Sequence, residues 1–199
     1  MSTTNSPGKL IIISGPSGAG KSTVVQRLLE ECPLPLTLSV SATTRQPRPG
    51  ETHGKEYWFL SPEEFAARRD RREFLEFKEV FGRGYWYGTL SDTVSSGLNS
   101  GKWVILEIDV HGAATVLKVH PDAITIFIHP GSLAELERRL RNRGTESEAN
   151  IARRLEVASE ELAMMHRYKH EVINREVDQA VAELCALLQK YDLGRGSNA

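Results

Sequence analysis

"KLIIISGPSGAGKST", residues 9–23, decides the fold. The run 9–14 is short, apolar and rich in β-branched residues, which suits a strand buried on both faces. Directly after it stand Gly15, Pro16, Ser17, Gly18, Ala19, Gly20, Lys21 and Ser22, with Thr23 next, in the spacing Gly-x-x-x-x-Gly-Lys-Ser. That spacing is a phosphate-binding loop. A compact, highly charged anion needs many donors converging on it, and the glycines let successive backbone N–H groups turn inward. The helix that follows adds the positive end of its dipole. Lys21 can reach the β- and γ-phosphates of a nucleoside triphosphate, and Ser22 can offer its hydroxyl to Mg²⁺.

Working outward, "KSTVVQRLLEE" (21–31) puts Val24, Val25, Leu28 and Leu29 on one helical face. Apolar runs like the first recur at 103–109, "WVILEID", and 123–129, "AITIFIH", each leading into a turn and a helical pattern. "HEVIN" (170–174) and "LTLSV" (36–40) are shorter candidates. Buried strands alternating with helices predict an α/β fold with a parallel sheet flanked by helices on both faces. In such a sheet ligands sit at the carboxyl ends of the strands. Glu107 and Asp109 stand at one such end, and Asp109 is a candidate for the Mg²⁺ shell, directly or through water.

Two stretches break the pattern. Residues 41–90 read as half-polar strands, "KEYWFL" and "EFLEFKEV", around a helix with Ser61 as N-cap, Pro62 in the first turn and Glu64 completing a capping box. A small mixed or antiparallel sheet fits them. Residues 130–166 are helical and arginine-rich, with a second capping box at Ser132 and Glu135. "DQAVAELCALLQKY" is the closing helix.

With 25 Lys+Arg against 26 Asp+Glu the formal charge is −1, which gives no reason to expect nucleic-acid or membrane binding. Hydrophobic residues make up 40% of the 199, yet no run approaches the ~18 that span a bilayer. The start, "MSTTNSPG", lacks the apolar stretch of a secretory signal. Cys32 and Cys185 read as two unlinked thiols, which fits a reducing compartment. The expectation is a cytoplasmic protein. His166 and His170 have the i, i+4 spacing of zinc ligands, but no Glu follows the first and no third ligand is evident.

What accepts a phosphate is read at 39–59, "SVSATTRQPRPGETHGKEYWF". Arg45 and Arg48 flank a proline that stiffens their turn, and Tyr57 follows. Two guanidinium groups and a phenol suit a terminal phosphate approached from several sides, although the same composition also fits a merely solvated basic turn.

Here the chain resembles a known family. "GPSGAGKST", the stretch 41–59, "EFLE" (73–76), "YWYGT" (85–89), "ILEIDVHG" (105–112) and "RLRNRGTE" (139–146) occur in the order and spacing of guanylate kinases. The resemblance covers residues 9 to about 175 and implies ATP + GMP → ADP + GDP with Mg²⁺. It also implies three parts: a core of 9–40, 91–129 and 167–192, a GMP-binding segment of 41–90 and a helical lid of 130–166. Residues 1–8 and 193–199 are then expected as disordered tails. By the same resemblance Arg45, Arg48, Tyr57 and Tyr87 hold the GMP phosphate, and Glu107 belongs with the GMP site. Ser41, Glu76 and Thr89 read guanine. Lys21, Asp109, Arg139, Arg143 and Arg154 act on the transferred group, and Asn174 contacts ATP near the adenine. His111 stands where the family often has glutamine, "NREVD" (174–178) replaces an Asn-Asp-Asp run, and Ala42 stands where some members have serine.

The chemistry agrees. The second ionisation of a phosphate monoester lies near pH ~6, so GMP is largely dianionic at neutral pH and needs no general base. Catalysis reduces to aligning two anions and neutralising their repulsion. Along the strand 73–80, strict alternation predicts Glu76 on one face with Phe74 and Lys78, opposite Glu73 and Glu79. A carboxylate there offers two acceptors to guanine N1–H and the 2-amino group, with Ser41 and Thr89 serving the opposite edge. Expected ligands are ATP, GMP and dGMP. The rival readings are a guanylate-kinase-like module that binds protein without catalysis, and a kinase for another small phosphorylated acceptor. Retention of Lys21, Ser22 and the lid arginines disfavours the first, and Glu76 the second.

Overall fold

The structure is a computed structural model describing residues 8–80, 84–142 and 147–193. Arg143 and the expected tail residues 1–7 and 194–199 lie outside the described residues. Five strands form one parallel sheet: β1 (Leu10–Ser14), β2 (Leu36–Leu38), β7 (Trp103–Glu107), β8 (Ile124–His129) and β9 (His170–Ile173). Their order is β2-β7-β1-β8-β9. Each lies within an apolar run read from the sequence. Ile11, Ile12 and Ile13 of β1 are fully buried, each worth about 1.5–3 kcal/mol relative to exposure. That anchors the entry to the phosphate loop. Helices α1 (Lys21–Glu31), α3 (Ser91–Asn99), α4 (Val110–Val116) and α7 (Val177–Leu193) belong to the same α/β alternation.

A second sheet carries β3 (Ala42–Thr43), β4 (Trp58–Phe59), β5 (Phe74–Val80) and β6 (Tyr85–Leu90) in the order β4-β3-β6-β5, with α2 (Pro62–Asp70) between β4 and β5. It is mixed: β3 runs parallel to β4 and antiparallel to β6. Ala42, Leu60 and Phe65 form its core with Trp58, Phe74, Trp86 and Leu90. Phe65 and Phe74 stack with centroids 4.5 Å apart. The Arg-rich stretch forms α5 (Leu133–Asn142) and α6 (Glu148–Ala163), which pack through Leu136, Leu140, Leu155 and Ala158.

The chain divides into two compact units: Met1–Ile11, Pro35–Leu106 and His111–Ala123, and Ile12–Leu34, Glu107–Val110 and Ile124–Ala199.

Three expectations change. Both capping boxes are half-made: Ser61 Oγ and Ser132 Oγ accept from the N–H groups of Glu64 and Glu135, each at 3.1 Å. The two carboxylates turn instead to Arg68 and to Arg138 and Arg139, because a guanidinium is the stronger donor. Cys32 and Cys185 are not separate thiols but a disulfide, with Cα atoms 5.5 Å apart. Cys32 caps the end of α1, which packs along α7 and is also tied to it by the Arg27–Asp178 ion pair. That packing sets the Cα separation a disulfide needs, across 153 residues of sequence. Unlinked thiols therefore no longer argue for a reducing compartment. Finally, a register shift between Phe74 and Glu76 breaks the alternation of β5.

Candidate active site

The loop after β1 takes the shape its glycines allow. Gly15 has φ +143°, and a Cβ there would lie 1.9 Å from Ile128 O. Gly20 has φ +85°, and a Cβ there would lie 2.5 Å from Asn174 Nδ2. No L side chain fits either place. Gly20 caps α1 and offers no side-chain cap, so the first turn's N–H groups have no intrahelical partner. Lys21 Nζ donates to Gly15 O (2.6 Å) and Pro16 O (3.1 Å), and Ser22 Oγ donates to Glu107 Oε1 (2.7 Å). Burial pushes the Lys21 ammonium below the ordinary lysine range, while Glu107, Glu161 and Asp109 pull it back up. Such a lysine is a desolvated cation aimed at the loop, whose field is far stronger than in water.

Two further arginines reach this unit's site. Arg154 of α6 donates from Nη2 to Ser17 Oγ at 2.8 Å. Arg139 of α5 donates to Glu135 Oε1 (2.7 Å) and to Asn174 O (2.8 Å). Arg138 and Arg141 are exposed and paired with Glu135, Glu137 and Glu148. Arg138, Arg139 and Arg141 thus have carboxylate partners on the helices themselves, and Arg138 followed by Arg139 holds the Glu135 carboxyl down at about 2. Asn174 is 1% exposed and donates from Nδ2 to Ala19 O at 2.8 Å. Its geometry is that of a brace beneath the loop.

Glu107, expected among the acceptor residues, is the hydrogen-bond partner of the loop serine. Asp109 stands two residues further on, close enough to act on Lys21.

The other unit holds a second set of donors. Arg45 donates from Nε to Tyr87 Oη at 3.1 Å and lies 5.4 Å over the Tyr57 ring. Tyr57 meets Tyr87 edge-on at 5.7 Å. Arg48 is exposed on the turn that follows. The Ser41 carbonyl accepts from Trp58 N–H at 2.9 Å, which fixes that residue beside β4.

Glu76 and Thr89 are direct partners across β5–β6, and Thr89 Oγ1 donates to Glu76 Oε1 at 2.7 Å. Gly112 of α4 lies against the same carboxylate: a Cβ there would come within 2.9 Å of Oε2. The expected neighbour Phe74 is absent from this face. The irregularity at Leu75 turns Phe74 toward Phe65 and Phe77, whose rings it meets at 4.5 and 6.2 Å. The carboxylate therefore sits between a hydroxyl and a helix backbone rather than in an apolar slot.

Two residues of the sites went unassigned in the sequence. Glu51 grips Arg45, and Glu161 acts on Lys21 from α6. Glu51 lay inside the quoted motif, six residues from Arg45; Glu161 carried no local signal. His166 and His170 do not share a helix, since the first lies in a short 3₁₀ turn and the second in β9. Among the described residues no group of three or more His, Cys, Asp or Glu could hold a metal ion.

A sequence model described as Guanylate kinase matches residues 7–191. The chain is 62% identical over 186 residues to a guanylate kinase of Rhodopirellula baltica, covering 93% of this chain and 89% of that one. It is 46% identical over 181 residues to a guanylate kinase of Caldanaerobacter subterraneus, covering 91% and 86%. It is also similar to the crystal structure of guanylate kinase from Anaplasma phagocytophilum, with TM-score 0.75, 30% identity and coverage of 94% and 87%. Neither rival reading gains support from these matches. Among the described residues no helix is long and apolar enough to cross a membrane.

Proposed function

The chain belongs to the guanylate kinase family, and from that premise we propose that it transfers the γ-phosphoryl group of ATP to GMP, giving ADP and GDP. The observation that carries the reading is the small sheet of 41–90. It joins a carboxylate–hydroxyl pair, Glu76 and Thr89, to an arginine–tyrosine cradle, Arg45 and Tyr87. Guanine carries two adjacent donors for an ionised carboxylate; adenine offers a lone pair in their place. A buried polar reader rejects such a mismatch strongly, because its own group is left unpaired.

In the proposed reaction Gly15 to Thr23 wrap the triphosphate of ATP. Lys21 follows the charge that moves onto the β–γ bridging oxygen, and its burial makes that interaction strong. Arg139 and Arg154, with Arg143, neutralise the equatorial oxygens of the transferred group. Arg45, Arg48, Tyr57 and Tyr87 hold the GMP phosphate, whose dianion attacks without a general base. Ser41, Glu76 and Thr89 hold the base. Asn174 serves ATP through the loop that it braces at Ala19.

The family also points to Mg²⁺, and the donor set fits it. Ser22 Oγ, hydrogen-bonded to Glu107, with Asp109 nearby, gives few but hard oxygen donors. Mg²⁺ favours such a set, because it keeps several waters and takes phosphate oxygens as ligands. When bound, the ion would screen the phosphate charges. Ser22 would hold it directly, and Asp109 and Glu107 through water. dGMP, with the same base and phosphate, is proposed as a second acceptor, and a cytoplasmic setting as the site of action.

The test is ATP-dependent phosphorylation across GMP, AMP, CMP and UMP, with ADP release measured with and without acceptor. Selective turnover of GMP is expected. ADP release indifferent to GMP would refute the reading.

A further inference from the structure

The acceptor cradle contains an anion of its own. Arg45 has five N–H donors in a planar fork. Nε–H goes to Tyr87 Oη (3.1 Å), Nη1 to Gln46 O (2.7 Å) and Glu51 Oε2 (2.9 Å), and Nη2 to Glu51 Oε1 (3.0 Å). Four of the five are thus committed, leaving one hydrogen of Nη2 for a ligand. Glu51 Oε2 also accepts the backbone N–H of Arg48 at 2.7 Å, and Glu51 N–H returns a bond to Arg48 O at 3.0 Å. The turn so closed carries Gly50 at φ +88°. One carboxylate therefore fixes both the guanidinium of Arg45 and the backbone of Arg48. The two interacting side chains, Arg45 and Glu51, are only 11% and 18% exposed.

We propose that Glu51 is a positioning residue for the acceptor phosphate, fixing the guanidinium of Arg45 and the backbone that carries Arg48 before the nucleotide arrives. The inference rests on the proposed GMP kinase activity. Two neighbouring arginines repel each other, and each has side-chain rotamer entropy to lose. The Glu51 carboxylate offsets that repulsion and meets the ordering cost of Arg45 during folding, while it fixes Arg48 through its backbone. The Arg45 guanidinium holds the Glu51 carboxyl below the usual carboxylate range, with the Arg48 N–H adding to the effect. Glu51 therefore stays an anion at any pH where the chain would work. The cradle's cations then number two against one fixed anion, so a phosphate dianion is recognised by directed hydrogen bonds more than by excess charge. Displacement of Glu51 by the ligand is disfavoured, because it would also strand the Arg48 N–H.

Glu51→Gln is the informative variant. It keeps the shape, but its amide nitrogen sets a donor against an Arg45 N–H, which breaks the two-pronged grip. The KM for GMP is expected to rise about 10-fold or more, the scale of misaimed but intact binding groups. The kcat at saturating GMP and the KM for ATP should hold within about twofold. Inhibition by guanosine, which has no phosphate, should be unchanged, since it engages Glu76 and Thr89. Glu51→Asp, which keeps the charge on a shorter arm, should recover part of the lost affinity. An unchanged or lower KM for GMP in Glu51→Gln would overturn the proposal, the lower value marking Glu51 as a competitor of the phosphate. So would an equal weakening of guanosine, or a lowered thermal midpoint, either of which would mark a structural prop. Wild-type protein that turns over GMP while the variant keeps its KM sinks this inference alone; wild-type protein inactive on GMP sinks the reading beneath it.

Discussion

Gly112→Ala tests whether Glu76 reads the base, through a residue that touches no ligand in the proposed scheme. Gly112 lies in α4 with ordinary helical backbone, so alanine is sterically allowed and favours the helix by about 0.5–1 kcal/mol. The new methyl would stand 2.9 Å from Glu76 Oε2, 3.2 Å from Cδ and 3.4 Å from Cγ. Comfortable contact needs roughly 3.5 Å or more, so the carboxylate has to retreat by about half an ångström. The backbone need not move, because the obstructing atoms are the end of a flexible side chain. Oε1, however, is tied to Thr89 at 2.7 Å, so retreat strains that bond and misaligns both acceptors. A charged hydrogen bond lost in this way costs about 1.5–3 kcal/mol. At about 1.4 kcal/mol per decade that becomes a 10- to 150-fold rise in the KM for GMP. The KM for ATP should not move, and the thermal midpoint should hold within about 2 °C or rise. The assay is ADP release against GMP concentration at saturating ATP, with a melting curve on the same sample. A Gly112→Ala protein with the wild-type KM for GMP would refute the reasoning, and a midpoint lowered by more than about 4 °C would show the contact to be structural.

Lys21→Ala should lower kcat about 10³-fold or more in a folded protein, the upper range for loss of one preorganised donor to developing charge. In the wild type, kcat/KM for ATP should fall with rising pH at a value below the ordinary lysine pKa of 10.5, because Lys21 is needed as a cation and burial lowers its pKa; a limb at or above that value would count against it. Arg154→Ala should lower kcat about 10³-fold, on the scale of other transition-state arginines, while the KM for GMP changes little; weakened GMP binding with normal turnover would rule out that role. IMP, which lacks the 2-amino group, should be a poor wild-type substrate, and Glu76→Gln should raise the KM for GMP far more than it lowers kcat; equal use of IMP and GMP would remove Glu76 from the reading edge.

The parallel sheet was legible because its strands are buried on both faces and so are written as unbroken apolar runs. Residues 10–14 and 124–129 could hardly be anything else. The loop was legible for a different reason: its glycines stand where the backbone itself demands them, at Gly15 and Gly20. What failed to show was long-range or depended on register. Nothing near Cys32 announces Cys185, since only the packing of α1 on α7 brings them together. The irregularity at Leu75 is invisible in "EFLEFKEV", and one slipped residue moved Phe74 to the far side from Glu76. The bond from Asn174 Nδ2 to Ala19 O likewise has no local signal, since its partner lies 155 residues away.

A common arrangement runs through both units. The groups proposed to hold phosphates or their metal ion already have internal partners: Lys21 on the carbonyls of Gly15 and Pro16, Arg154 on Ser17, Ser22 on Glu107, Arg45 on Glu51. Left bare in a half-buried site, each would bear an uncompensated desolvation cost and a floppy side chain. Internal partners lower both, at the expense of affinity, because a ligand must exchange bonds rather than simply form them. The exchanges are not equal. Carbonyl and hydroxyl partners on Lys21 and Arg154 are neutral and yield readily to phosphate, which suits groups that must follow charge during transfer. The Glu51 carboxylate is charged, two-pronged and anchored to the Arg48 backbone, so it stays. By this reasoning the donor side of the reaction is built to rearrange and the acceptor side to stand still. That division matches the chemistry, because charge moves onto the β–γ bridging oxygen on the donor side, whereas GMP has to be held still with one phosphate oxygen in line to form the new bond to the γ-phosphorus.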